Sequence, residues 1–135
     1  MTPPGDGEAG MEIREGMSTD VVTVTPQRTL REAARFMADR NCGSVVVMDP
    51  EQPGPGIFTE RDLLHSVAAG ESPDQEVIAD HLTARSTFAE PNWPLERAAR
   101  AMIRGGFRHL VVMDGGEPVG VLSMRDIVRR WAEEK

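Results

Sequence analysis

Two heptads hold the residues best suited to chemistry: "GIFTERD" at Gly56–Asp62 and "GVLSMRD" at Gly120–Asp126. Each sets a hydroxyl three residues before a carboxylate, with arginine just ahead of the carboxylate and glycine at the head. Thr59 with Asp62, and Ser123 with Asp126, have the spacing of a helix-capping pair. The hydroxyl accepts an orphan amide hydrogen bond, and the carboxylate suits the positive end of the helix dipole. The same atoms suit a ligand. A carboxylate offers two acceptor oxygens to vicinal ribose hydroxyls. A helix N-terminus offers free amides to phosphate. Gly56 and Gly120 would let the backbone approach a ligand closely. Arg61 and Arg125 are charged candidates beside the carboxylates, although an exposed helical arginine needs no ligand.

Other chemistries find little support. His65, His81 and His109 lack metal-ligand spacing such as His-x-x-x-His, so no metal site is expected. Neither a Gly-x-Ser-x-Gly elbow nor a phosphate-binding P-loop occurs, and catalysis is not expected. Cys42 is the single cysteine, which excludes an internal disulfide and a Cys-rich zinc site. It reads as a small buried hydrophobe. A net charge of −7 and a pI near 4.9 argue against a nucleic-acid partner. No apolar run is long enough for a bilayer. Residues 1–10 lack the basic start and apolar stretch of a signal peptide and read as a flexible tail. A cytoplasmic protein is expected.

The heptads belong to a longer duplication. At a shift of 65 residues, Leu30, Ala33, Ala34 and Met37 fall on Leu95, Ala98, Ala99 and Met102. Val46–Asp49 falls on Val111–Asp114, Pro26 on Pro91 and Ile13 on Ile78. The shift drops to 64 inside a Pro/Gly-rich loop, where an indel is easily tolerated. The chain divides into residues 11–70 and 76–135, joined by 71–75. "VVTVT" (Val21–Thr25) alternates as a short strand ended by Pro26. Leu30, Ala33, Ala34 and Met37 form one face of an amphipathic helix, opened by a Thr29/Glu32 capping box. In the second copy, Pro94 suits the first turn of the matching helix. "SVVVMD" and "HLVVMD" are short continuous apolar runs, expected as strands buried on both faces. "GIF" and "VGVL" add a further strand, and a second helix runs from each heptad. "MEIREGM" and "EVIADHL" place a short turn before each copy. One copy of about 60 residues is marginal by itself, so the two copies are expected to pack together.

This layout resembles a tandem pair of cystathionine-β-synthase (CBS) domains, a Bateman module. The carriers are the β-α-β-β-α order, its duplication, the "VVVMD"-type strand and the Gly-apolar-apolar-Thr/Ser-x-x-Asp heptad. The likeness covers about residues 11–132, so a stand-alone module is expected. The resemblance implies an α+β fold of two repeats packed sheet to sheet with pseudo-twofold symmetry. It also implies a regulatory module that binds an adenosine-containing ligand in clefts between the repeats and signals to a partner protein. AMP, ATP and S-adenosylmethionine are the ligands it suggests, with no required cofactor. By the same resemblance Asp62 and Asp126 would hold ribose, and Thr59 and Ser123 would lie against sugar or phosphate. Arg108 and His109 would reach phosphates. Val21 and Val22, with Thr87 and Phe88, would border the adenine. Each of these also has a plain reading as solvated arginine, hydrogen-bonded histidine or sheet core. A homodimer is expected, because Phe36, Leu64, Ile103 and Trp131 are apolar residues that one module leaves uncovered. The competing reading is a ligand-independent dimeric protein-interaction module.

Overall fold

The Thr29 side chain accepts a hydrogen bond from the Glu32 amide, and the Glu32 carboxylate accepts one from the Thr29 amide at 2.9 Å. That reciprocal pair starts helix α1 (Leu30–Arg40) in a computed structural model that describes residues 11–85 and 87–133. The Thr29 amide, and then Arg28, hold the Glu32 carboxyl below its ordinary range. The helix is flanked by β1 (Thr23–Val24) and β2 (Ser44–Val47), followed by β3 (Gly56–Thr59) and α2 (Glu60–Ala68). A short β4 (Ala84–Arg85) comes next. The second copy then supplies β5 (Phe88–Ala89), α3 (Leu95–Gly105), β6 (His109–Asp114), β7 (Glu117–Ser123) and α4 (Met124–Glu133).

The strands form two sheets, ordered β1-β2-β3-β4 and β5-β6-β7. In each, the first pairing is parallel and the next antiparallel. The first strand is shorter than "VVTVT" suggests. Only Thr23 and Val24 pair with Val46 and Val47, and Pro26 has no N–H to extend the ladder. Gly115 and Gly116, with φ of 61° and 84°, close the β6–β7 hairpin. Positive φ at both central residues is the type I′ geometry that matches strand twist. Pro94 sits one residue ahead of α3, at its N-cap, and contributes no side-chain bond there.

Each helix buries the face that its spacing dictates. Leu30, Ala33 and Met37 pack with Val45, Val47 and Phe58; Leu95, Ala98 and Met102 pack with Leu110, Val112 and Leu122. Alternation turns Val46, Ile57 and Val111 to the opposite sheet faces, and these are buried too. The continuous apolar runs are thus strands with two buried faces. Phe36 is half-buried against the core of its unit, beneath Arg28, whereas Leu64, Ile103 and Trp131 are exposed.

The compact units do not follow sequence order. Among the described residues, one comprises 22–85 and 87; the other joins 11–21 with 88–133. The short turn before each copy serves the core of the other copy. Ile13 lies in the core built on α3, and Ile78 in the core built on α1. Their backbone bonds repeat 65 residues apart. Ile13 N–H donates to Trp93 C=O at 2.8 Å, and Ile78 N–H to Arg28 C=O at 2.8 Å. Leu95 N–H reaches Met11 C=O at 2.9 Å, and Leu30 N–H reaches Glu76 C=O at 3.0 Å. Ser18 N–H donates to Val121 C=O at 2.9 Å and, in the other unit, Thr83 N–H donates to Ile57 C=O at 3.0 Å.

Ile78 is fully buried, so Ile78→Ala should destabilise the chain by about 2–5 kcal/mol. Urea melts of the two proteins check this, and a loss below about 0.5 kcal/mol, the size of an ordinary surface change, would show that the arm is not core.

Candidate functional site

The first heptad runs off β3 into α2, so Thr59 ends a buried strand and begins a helix. Thr59 is itself buried. Its hydroxyl accepts from the Asp62 amide at 3.3 Å, and Asp62 Oδ2 accepts from the Thr59 amide at 2.8 Å and the Thr59 hydroxyl at 3.0 Å. The Thr83 hydroxyl also donates to Asp62 Oδ2. One carboxylate oxygen is therefore filled by capping bonds. Among the described residues no side chain is recorded on the other oxygen, Oδ1.

The second heptad repeats the cap with a different second oxygen. Asp126 Oδ2 accepts from the Ser123 amide at 2.9 Å, and Ser123 Oγ accepts from the Asp126 amide at 3.0 Å. Asp126 Oδ1, however, accepts from Arg129 at 2.8 Å. The first-copy residue at that helical position is His65, which is exposed.

Strand pairing brings further candidates to the heptads, each within its own unit. Ser44 lies opposite Thr59, and His109 opposite Ser123. The carbonyls of Gly43 and Arg108 accept the first helical amides, from Glu60 at 3.0 Å and Met124 at 2.8 Å. Arg108 is thereby fixed beside the start of α4, with its side chain exposed. At the matching point of the first copy stands Gly43, and a Cβ there would lie 2.2 Å from Glu60 Oε2. The second heptad thus has an added cation near it, and the first has an acid. Gly120 is buried, and a Cβ on it would lie 3.0 Å from the Ser18 carbonyl. A side chain there would also meet Met17 Sδ at 2.5 Å, so the arm would have to shift where it pairs with β7.

Gly56 is buried within β3; Arg61 and Arg125 are exposed on the first turns of their helices. Val22 is half-buried and its carbonyl accepts from the Val46 amide at 2.8 Å. Val21 is half-buried and its amide donates to Thr19. Thr87 is exposed and Phe88 is 42% exposed, although Phe88 pairs with Val111 in the sheet. An aromatic residue on a strand with that exposure is available to stack on a flat ring.

Thr83 and Arg129 were not evident from the heptads. Arg129 has a local signal, three residues after Asp126 on one helix face. Thr83 reaches Asp62 only because the arm folds back along β3; its amide donates to Ile57 C=O at 3.0 Å. Its hint was Ser18, a hydroxyl residue at the same place in the other arm.

A family model of the CBS domain matches the chain twice, over residues 10–69 and 78–133. The chain is 31% identical over 121 residues to protein MK0525 of Methanopyrus kandleri, covering 88% of this chain and 62% of that one. This chain thus spans less than two thirds of that relative. It is 30% identical over 119 residues to the CBS domain-containing protein YhcV of Bacillus subtilis, covering 85% of this chain and 81% of YhcV. The CBS domain pair of protein MJ0100, solved in complex with 5′-methylthioadenosine and S-adenosyl-L-methionine, superposes with a TM-score of 0.80. It is 20% identical, covers 93% of this chain and 99% of that one, and shows likeness of fold. Among the described residues no helix is long and apolar enough to cross a membrane.

The capping role of the first heptad is testable by itself. Thr59→Val keeps the volume but leaves the Asp62 amide without its acceptor, and should cost about 1–2 kcal/mol in a denaturant melt. An unchanged midpoint would remove Thr59 from the cap.

Proposed function

The chain belongs to the CBS domain family as a tandem pair, and we propose that it is a regulatory module that binds adenosine-containing nucleotides at its two heptads and signals to a partner protein. Asp62 carries this reading. Capping fills only one of its oxygens, and the other is left for a ribose diol at the positive end of α2. Asp126 repeats the cap, but Arg129 holds its second oxygen. The MJ0100 pair, a relative in fold, holds two adenosine compounds. In this reading the module needs no cofactor and performs no catalysis, and AMP, ATP or S-adenosylmethionine is its regulatory ligand.

The two heptads are not equivalent in charge. The first suits uncharged adenosine, with Glu60 over Gly43 and an open Asp62 oxygen. The second suits a phosphorylated nucleotide. Arg108, His109 and Arg125 supply positive or hydrogen-bonding groups there, and the ribose must displace Arg129 from Asp126. Phe88 is the residue offered to the adenine.

A second observation favours assembly. Leu64 and Val67 lie on one face of α2, and Val128 and Trp131 occupy the matching positions of α4; all four are at least half exposed. Duplicated apolar pairs suit a twofold contact, and a homodimer through these helices would cover them. With empty heptads, the same surface would make the chain a ligand-independent interaction module.

Thermal melts of protein unfolded and refolded to strip bound nucleotide separate the two readings. A ligand at a hundredfold over its Kd should add about 2.7 kcal/mol of stability. Asp62→Asn should diminish the adenosine shift, Arg108→Ala the ATP and AMP shifts, and Asp62→Asn with Asp126→Asn should abolish both. A full shift in the double variant would leave the heptads as caps alone.

The assembly is tested by sedimentation. The wild-type chain should run as a dimer, and Leu64→Asp with Trp131→Asp as a monomer. A monomeric wild type over a wide concentration range would overturn the dimer.

A further inference from the structure

We propose that Glu71, Glu76 and His81 form a divalent transition-metal site, for zinc by its donor set, in the segment that follows α2. The spacing of the histidines in the sequence gives no sign of it, because two of the three donors are carboxylates. One ligand atom from each residue lies within 4.8 Å of the others. His81 Nε2 is 2.8 Å from Glu76 Oε1 and 3.9 Å from Glu71 Oε1. Zinc bonds of about 2.0–2.1 Å in tetrahedral geometry place neighbouring donors roughly 3.3–3.4 Å apart. The two recorded distances bracket that separation, and the two carboxylates lie within 4.8 Å of each other. A water in the fourth position completes the set.

The backbone beneath the donors is tied down. Glu71 N–H donates to Ser66 C=O, Glu76 N–H to Ser72 C=O, and His81 N–H to Ile78 C=O. The Glu76 carbonyl accepts from Leu30, and Ile78 fills the core. The buried Ser66 hydroxyl donates to Glu71 Oε1 at 2.6 Å and orients that carboxylate. Such outer partners fix ligand geometry and raise metal affinity.

Charge points the same way. The arginines of this region are engaged elsewhere, Arg28 with Glu32 and Arg31 with Asp74. Among the described residues, His81 is the one basic group recorded on Glu71 and Glu76. Imidazole is neutral when it ligates a metal, so the trio presents two negative charges to a divalent ion. One nitrogen and two carboxylate oxygens suit zinc better than calcium or magnesium, which take more oxygen ligands.

The trio is also not a requirement of the fold. The other arm makes the same backbone bonds, yet has Met11 and Gly16 where this one has Glu76 and His81. The ion would pin the chain between the two repeats to the end of α2.

The test uses the full chain without a histidine tag, stripped with a chelator and titrated with zinc chloride by calorimetry and thermal melts. One zinc ion per chain should bind and raise the melting temperature, and chelator should reverse the rise. His81→Ala and Glu76→Gln should each weaken zinc binding by at least about tenfold. His65→Ala and Cys42→Ser should leave it unchanged, and calcium and magnesium should give no shift. Glu76→Gln keeps the shape of the side chain and serves if His81→Ala folds poorly. No zinc binding by the wild type, or unaltered binding in both ligand variants, would overturn the site and leave the trio an ion pair.

Discussion

Each repeat is short by one core residue, and the arm ahead of the other repeat provides it. Ile78 completes the packing of α1 on β2 and β3, and Ile13 does the same for α3 on β6 and β7. Units of this size have little core to lose. Both arms are held by the same backbone bonds, which also satisfy the first amides of the helices, Leu30 through Glu76 and Leu95 through Met11. Helix starts, sheet edges and cores therefore depend on the arms. The Gly120 position follows from this too, because a side chain there would obstruct the Ser18 pairing.

The heptads show how one helix cap is kept in two copies with different surroundings. A strand that leads directly into a helix must satisfy the exposed helical amides, and Thr59 and Ser123 do so from buried or half-buried positions. The aspartate that completes the cap needs only one of its oxygens. The second oxygen is where the copies diverge: among the described residues no side chain is recorded on Asp62 Oδ1, whereas Arg129 engages Asp126 Oδ1. Duplication preserved the cap while the surroundings changed, with Glu60 over Gly43 in one copy and Arg108 in the other. Arg129 is exposed, whereas the Asp126 carboxylate that it meets is mostly buried.

The two arms extend the same contrast. Their backbones do identical work, but their side chains do not. Met11 packs against the core of its unit, and its counterpart Glu76 is turned to His81. A segment fixed by main-chain bonds is free to vary its side chains, and that freedom is where a duplicated fold acquires separate functions.

Periodicity by itself determined much of this protein. The Leu30, Ala33, Met37 pattern, the Val45–Val47 run and the Thr/Ser-x-x-Asp spacing are local consequences of helix pitch, strand alternation and capping. They identified the helices, the buried strands and the heptads, and the repeat of those signals pointed to the family. Phe36 and the shortened β1 departed from the local pattern, because packing and pairing with distant residues set their limits. Bonds between residues far apart in the chain had no such signature. The exchange of arms, the Thr83 hydroxyl on Asp62 and the meeting of Glu71, Glu76 and His81 depend on where the backbone returns in space. Only the tertiary structure decided those, because hydrogen bonds and shared charges act over a few ångströms of space and take no account of separation along the chain.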